Sequence, residues 1–199
     1  MKAMEGRTFG VMFVCAGNIC RSPLAEAVFC ALAREAGVYT RFRIASSGTT
    51  GYHVGQQADK RVRAVAAGHG ITIDHRARLL RRDDLASFDL ILVMDKTNYE
   101  DVADLTQDRD LLRRVHLFRE FDPDRGSEEV PDPYYGGTAG FEEVYRIVRR
   151  TAAALLDFLL DRTGRQAGDG PDAGEEQSRA GRDSRSGRSL QDPSVGGSP

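Results

Sequence analysis

Phe9-Gly10-Val11-Met12-Phe13-Val14-Cys15-Ala16-Gly17-Asn18-Ile19-Cys20-Arg21-Ser22-Pro23 is the stretch on which the reading of this chain turns. Its first six residues form a short, continuously apolar run, the pattern of a strand covered on both faces, as in a parallel sheet. A glycine-bearing turn follows. Pro23 then leads into Leu24–Ala36, rich in Ala, Leu and Glu, which reads as a helix. Proline is welcome in a first helical turn, where its missing N–H costs nothing. Gly37 is a good stop for that helix.

The chemistry of the turn follows from its residue types. Cys15 closes the strand, and Arg21 arrives as the helix opens. A short loop ending at a helix N-terminus can turn its backbone N–H groups inward and make an anion nest. Ala16, Gly17, Asn18, Ile19, Cys20, Arg21 and Ser22 are therefore the candidate phosphate cradle, with Gly17 and Asn18 tolerating the unusual dihedrals of the curl. Arg21 can grip two oxyanion oxygens in a fork. A thiolate at Cys15 is favoured by the helix terminus and the guanidinium, and it lies where it can attack a bound tetrahedral oxyanion in line. That implies phosphoryl transfer through a cysteinyl phosphate, with Ser22 able to hydrogen-bond the sulfur as it leaves.

Other readings compete. Cys15 and Cys20 could pair in a metal site, but no Cys/His pair elsewhere completes one. A Walker-type loop is excluded, because it needs Gly-Lys-Ser/Thr at its end. The cysteines could also be small buried hydrophobes, as Cys30 inside the first helix is expected to be. The phosphoryl-transfer chemistry calls for no cofactor and no metal.

Outward from this unit, Phe42–Ser46 reads as a second strand, Gln57–Gly68 as a helix, and Phe88–Met94 as a third strand. Asn98–Arg114 reads as helical in pieces, and Val115–Phe118 as a fourth strand. Asp122–Thr138 holds three Pro and three Gly and reads as a loop. Phe141, Val144, Tyr145, Val148, Ala152, Leu155, Leu156 and Leu159 recur at spacings of three and four and mark a final amphipathic helix. Alternating strands and helices imply an open, mostly parallel α/β sheet with its site at the carboxyl ends of the strands.

Residues 164–199 differ in composition: Gly, Ser and Pro supply 17 of 36 positions, and no aromatic residue occurs. Such a segment cannot offset the entropy of ordering itself, so 1–163 is expected to be the folded domain and 164–199 a disordered tail. Of the 199 residues, 28 are Lys or Arg and 30 are Asp or Glu, a formal net charge of −2. That balance argues against a chain built to grip nucleic acid or an anionic membrane. No run of 18 apolar residues suggests a transmembrane helix, and Met1–Thr8 has no secretion-signal hydrophobic region. Three cysteines are too few for a disulfide scaffold, which makes a cytoplasmic location the default expectation. A monomer is the default as well.

The run Val14–Pro23 resembles the signature of the low-molecular-weight protein tyrosine phosphatases. Ser46-Ser47-Gly48-Thr49, Tyr52-His53-Val54-Gly55, His69-Gly70-Ile71, His75-Arg76-Ala77-Arg78, Met94-Asp95 and Asp132-Pro133-Tyr134 continue the resemblance, which spans residues 8 to 161. It implies a three-layer α/β fold with a four-stranded parallel sheet, order 2-1-3-4. It implies phosphotyrosine-containing proteins as substrates, and Asp132 as general acid for the leaving tyrosyl oxygen. From the residues alone Asp132 is equally a turn residue, and Asp122 and Asp124 are weaker candidates. Asn18, Ser46 and His75 match positions that brace the cradle. Tyr52, where many members carry Trp, and Tyr134 match the aromatic walls of the substrate cleft, and Tyr135 is a further candidate there. Cys20 matches a cysteine that can form a disulfide with the nucleophile, protecting it from over-oxidation. Asp95 matches a position near the cleft.

Three alternatives are weighed against this. Thioredoxin-coupled arsenate reductases of the same fold need cysteines downstream, and after Cys30 there are none. Arginine phosphatases of the fold tend to carry Thr where Ile19 stands. A non-catalytic phosphate-binding protein would lack the Cys, the Arg or the acid, and all three are present.

Overall fold

Four strands lie side by side in the order β2-β1-β3-β4: β1 (Phe9–Cys15), β2 (Phe42–Gly48), β3 (Leu90–Val93) and β4 (Val115–Leu117). All three pairings are parallel, with Phe13 opposite Ser46 on one side and Leu92 on the other. This computed structural model describes residues 7–124, 126–134 and 136–168, with side chains as far as residue 162. The helices are α1 (Arg21–Glu35), α2 (Lys60–Gly68), α3 (Arg82–Ser87), α4 (Lys96–Ala103), α5 (Arg109–Leu112) and α6 (Thr138–Gly168).

Every residue of β1 is buried, as its unbroken apolar run requires of a central strand. The strand's two-residue period divides the interior. Val11, Phe13 and Cys15 face one cluster with Leu90, Leu92, Phe29 and the apolar stripe of α6, while Met12 and Val14 face a smaller one with Ile91, Val93, Leu85 and Val102. Phe13 centres the larger cluster, its ring 5.8 Å from Phe29 and 5.5 Å, edge-on, from Phe118. All eight residues of the α6 stripe are buried.

Boundaries move where local chemistry overrides periodicity. α1 starts at Arg21, before Pro23, because the Cys20 carbonyl already accepts the Leu24 N–H at 3.3 Å. It ends at Glu35, with Ala36 as its cap and Gly37 turning the chain away at a φ of 69°. α2 starts three residues later than its apolar pattern, at the cap provided by Asp59, whose side chain accepts the Arg61 N–H. α6 continues to Gly168, five residues past the boundary expected at 163. The rest of the expected tail, 169–199, and Tyr135 lie outside the described residues. No helix among the described residues is long and apolar enough to cross a membrane.

Candidate active site

The loop between β1 and α1 is shaped from outside by its carbonyls. Thr49 N–H donates to the Cys15 carbonyl (2.9 Å), Thr50 N–H and Oγ1 to that of Ala16 (2.9 and 3.1 Å), and Asp59 N–H to that of Ile19 (2.8 Å). His75 Nε2 meets the Asn18 carbonyl at 2.9 Å, which requires the proton to sit on that nitrogen. In a trans peptide the N–H opposes the C=O, so outward carbonyls turn the N–H groups of Ala16, Gly17, Ile19 and Cys20 inward. The curl needs one left-handed residue, and Asn18 supplies it with a φ of 55°. It also needs Gly48 beneath it, because a Cβ there would lie 2.6 Å from the Ala16 carbonyl oxygen.

Asn18 is fully buried and its side chain is fully used. Nδ2 donates to Ser22 Oγ and Ser46 Oγ, both at 2.9 Å, and Oδ1 accepts the Arg78 N–H at 2.9 Å. Ser46 Oγ in turn donates to Glu26 Oε2 at 2.6 Å, and His75 Nδ1 lies 3.8 Å from the same oxygen. Cys15 Sγ is 3.1 Å from Ser22 Oγ.

Arg21 is buried. One arm donates to Asp95 Oδ2 (2.6 Å) and the Val130 carbonyl (3.1 Å), and the other to Asp132 Oδ2 (3.0 Å). Burial opposes its charge, but Cys15, Asp132 and Asp95 outweigh it and hold the guanidinium above its ordinary pKa. Asp95 divides its carboxylate between this arginine and the N-terminus of α4, where Oδ1 accepts the Asn98 N–H at 2.7 Å.

Cys15, Ala16, Gly17, Ile19, Cys20, Arg21, Tyr52, Asp132 and Tyr134 line one cleft of about 220 Å³, together with Thr50 and His53. Asp132 is half exposed and its Oδ1 accepts the Tyr134 N–H at 3.0 Å. Asp122 is elsewhere. Its carboxylate is fully buried between Arg119 (3.0 Å) and Arg150 (2.7 and 2.9 Å). Burial alone would raise its pKa, but the Arg150 hydrogen bonds and the backbone N–H of Asp124 bring it down to about 2. Such a group holds the loop to α6 and cannot deliver a proton near neutrality. Asp124 pairs with Arg150 at 3.3 Å and lines no part of the cleft. Burial, with the charges of Asp59, Cys15 and Asp132, pushes the Cys20 thiol up to about 12.

A model of the family described as low molecular weight phosphotyrosine protein phosphatase matches residues 10–166. The chain belongs to this family. A low molecular weight protein-tyrosine-phosphatase of Streptomyces coelicolor is 42% identical over 151 residues, 75% of this chain and 92% of that one. The human low molecular weight phosphotyrosine protein phosphatase is 38% identical over 154 residues, 77% of this chain and 97% of that one. Among solved structures, a protein tyrosine phosphatase from Entamoeba histolytica with Hepes in its active site superposes with a TM-score of 0.75. It shows 35% identity, over 78% of this chain and 99% of that one.

In this member of the family, Asn18, Ser46 and His75 lie beneath the cradle, joined into one network. Tyr52 reaches the cleft only at its rim, 85% exposed. Glu26, Thr50 and the Asp59–Arg61 pair are not singled out by the sequence, which places Asp95 no more closely than near the cleft. Glu26 leaves a trace, a carboxylate one helical turn after Ser22 in a mostly buried stretch of α1. Among the described residues, no cluster of His, Cys, Asp and Glu is arranged to hold a metal ion.

Proposed function

We propose that the chain is a protein tyrosine phosphatase that hydrolyses phosphotyrosine, and small aryl phosphates, through a cysteinyl phosphate. The observation that carries this reading is the cleft itself, with Cys15, Arg21 and Asp132 around an inward-facing set of backbone N–H groups. The phosphate of the substrate occupies the loop and Arg21 forks two of its oxygens, releasing Asp132 from that arm. The Cys15 sulfur attacks phosphorus. The P–S bond forms as the bond to the tyrosyl oxygen breaks, and Asp132 delivers its proton to that oxygen. Water then attacks phosphorus, Asp132 takes a proton from it, and the P–S bond breaks with Ser22 hydrogen-bonding the departing sulfur. Developing charge is met by N–H groups already in place.

Three further features support this reading. Ile19 presents an apolar side chain to the cleft, which suits an aryl ester better than a guanidinium phosphate. The Tyr52 and Tyr134 rings stand at its mouth. A Vibrio vulnificus Wzb, 26% identical with a TM-score of 0.66, was solved with benzylphosphonate, an aryl analogue of the proposed substrate. Cys20 suits a protective role: peroxide takes Cys15 to the sulfenic acid, and attack by Cys20 forms the disulfide and releases water.

The test is hydrolysis of phenyl phosphate and of phosphotyrosine and phosphoarginine peptides by the wild type and Cys15→Ser. The wild type is expected to prefer phosphotyrosine, and Cys15→Ser to lose at least about 10³-fold in rate. An active Cys15→Ser, or a preference for phosphoarginine, overturns the proposal.

A further inference from the structure

One pair of side chains outside the loop and the acid joins the two. The Asp59 N–H holds the Ile19 carbonyl of the cradle at 2.8 Å. Both Asp59 carboxylate oxygens are forked by Arg61, Nε at 3.0 Å and Nη2 at 2.9 Å. The remaining arm, Nη1, donates to the carbonyls of Tyr134 (3.0 Å) and Gly136 (3.4 Å), on the turn that follows Asp132. The guanidinium also lies over the Phe141 ring, 4.6 Å from its centre, and 5.5 Å from that of Tyr134. Arg61 thus spans from a residue anchored on the Cys15 loop to the loop carrying the acid.

We infer that Arg61 is a positioning residue for the general acid, setting the separation of Asp132 from the sulfur-bearing loop through the carbonyls of Tyr134 and Gly136. The inference rests on the phosphatase reading above. Its logic lies in what remains once phosphate has claimed Arg21. Asp132 then keeps the Tyr134 N–H, whose peptide neighbourhood is held by Arg61. A planar five-donor group is well matched to such a span. Two donors fix it on Asp59 and a third reaches the turn, which a lysine ammonium cannot reproduce at once. An error of about 1 Å in a proton donor costs on the order of 10²-fold, so even a modest slackening should be measurable.

Kinetics with two leaving groups test this. Arg61→Ala is expected to lower kcat/KM for phenyl phosphate, a poor leaving group, about tenfold or more, and that for p-nitrophenyl phosphate less than about threefold. Competitive inhibition by vanadate should stay within about twofold, because the cradle keeps its own bonds. Arg61→Lys should recover only part of the loss, and Arg61→Ala should cost almost nothing further on Asp132→Ala. Equal losses for both esters, losses that add in full to those of Asp132→Ala, or weakened vanadate inhibition overturn the inference. The comparators separate its failure from that of the reading beneath it. If Asp132→Ala itself shows no leaving-group dependence, the general-acid assignment falls. If it does and Arg61→Ala does not, only the role of Arg61 falls.

Discussion

The two loops that meet at the cleft are held in opposite ways. The Cys15 loop is fixed through its backbone: its carbonyls accept hydrogen bonds from the segments after β2 and before α2 and from His75, and Asn18 below is saturated. The loop bearing Asp132 is fixed by arginine side chains. Arg21 holds Val130 and Asp132, Arg61 holds Tyr134 and Gly136, and Arg119 holds Asp124 and Glu129. A backbone-held loop binds an anion without rearranging. A loop tied by guanidinium groups can exchange one partner for another, as the role proposed for Asp132, first acid and then base, requires.

Breaking the backbone-held loop should have the largest effect. Asn18→Ala removes three side-chain hydrogen bonds and puts a Cβ-bearing residue with no local polar group at a φ of 55°. A stability loss of about 3 kcal/mol is expected in denaturant melts, with at least about a tenfold loss of phosphate affinity. Asn18→Gly relieves the dihedral but not the bonds, so it should recover about 1 kcal/mol and none of the affinity.

Next comes the arginine-held loop. Asp122→Asn takes from Arg119 its buried carboxylate partner and leaves Arg150 only the exposed Asp124, and is expected to cost about 3 kcal/mol, with phosphate inhibition unchanged. The pH dependence has a definite sign. The Asp122 carboxyl sits at about 2 in the folded chain, below its value near 3.9 in an unfolded one. Its contribution is therefore complete above about pH 4 and lost as pH falls through about 2. Melts across this window should show the acid limb in the wild type and a shallower one in Asp122→Asn. The smallest effect is expected at the loop's surface. Lys96 and Glu128 pair at 2.8 Å, but both are largely exposed. Lys96→Ala should leave the melting temperature and kcat/KM unchanged within error at about 150 mM salt, where such pairs are screened. A clear loss in Lys96→Ala, or none in Asn18→Ala, would reverse the contrast between the loops.

How legible each loop is in the sequence follows from the same difference. The sheet, its central strand and the α6 stripe are readable because burial imposes periods of two and 3.6 on neighbouring residues. The cradle is readable because its residues are contiguous and each has a local reason to be there. Glu26, Asp95 and Arg61 are not, because their partners lie 20, 74 and 73 positions away and spacing along the chain says nothing of that. The short α3 leaves no mark, because six residues carry too little pattern for a period to show. Asp122 and Asp132 both read as loop carboxylates. Only their surroundings, burial between two arginines for one and half exposure for the other, separate an anchor from the proposed proton donor.

The outward-turned carbonyls of Cys15, Ala16, Asn18 and Ile19 have one more consequence, for how such an enzyme diverges. In the proposed mechanism the anion is gripped by main-chain N–H groups, which only a change to proline deletes, and by the Arg21 fork. Side chains at Ala16, Ile19, Tyr52 and His53 can then vary and retune which ester is accepted while the grip on its phosphate is inherited intact. The exceptions are Arg21, which supplies the fork, and the pair that keeps the curl closed, Asn18 and Gly48, where a change of identity would dismantle the grip itself.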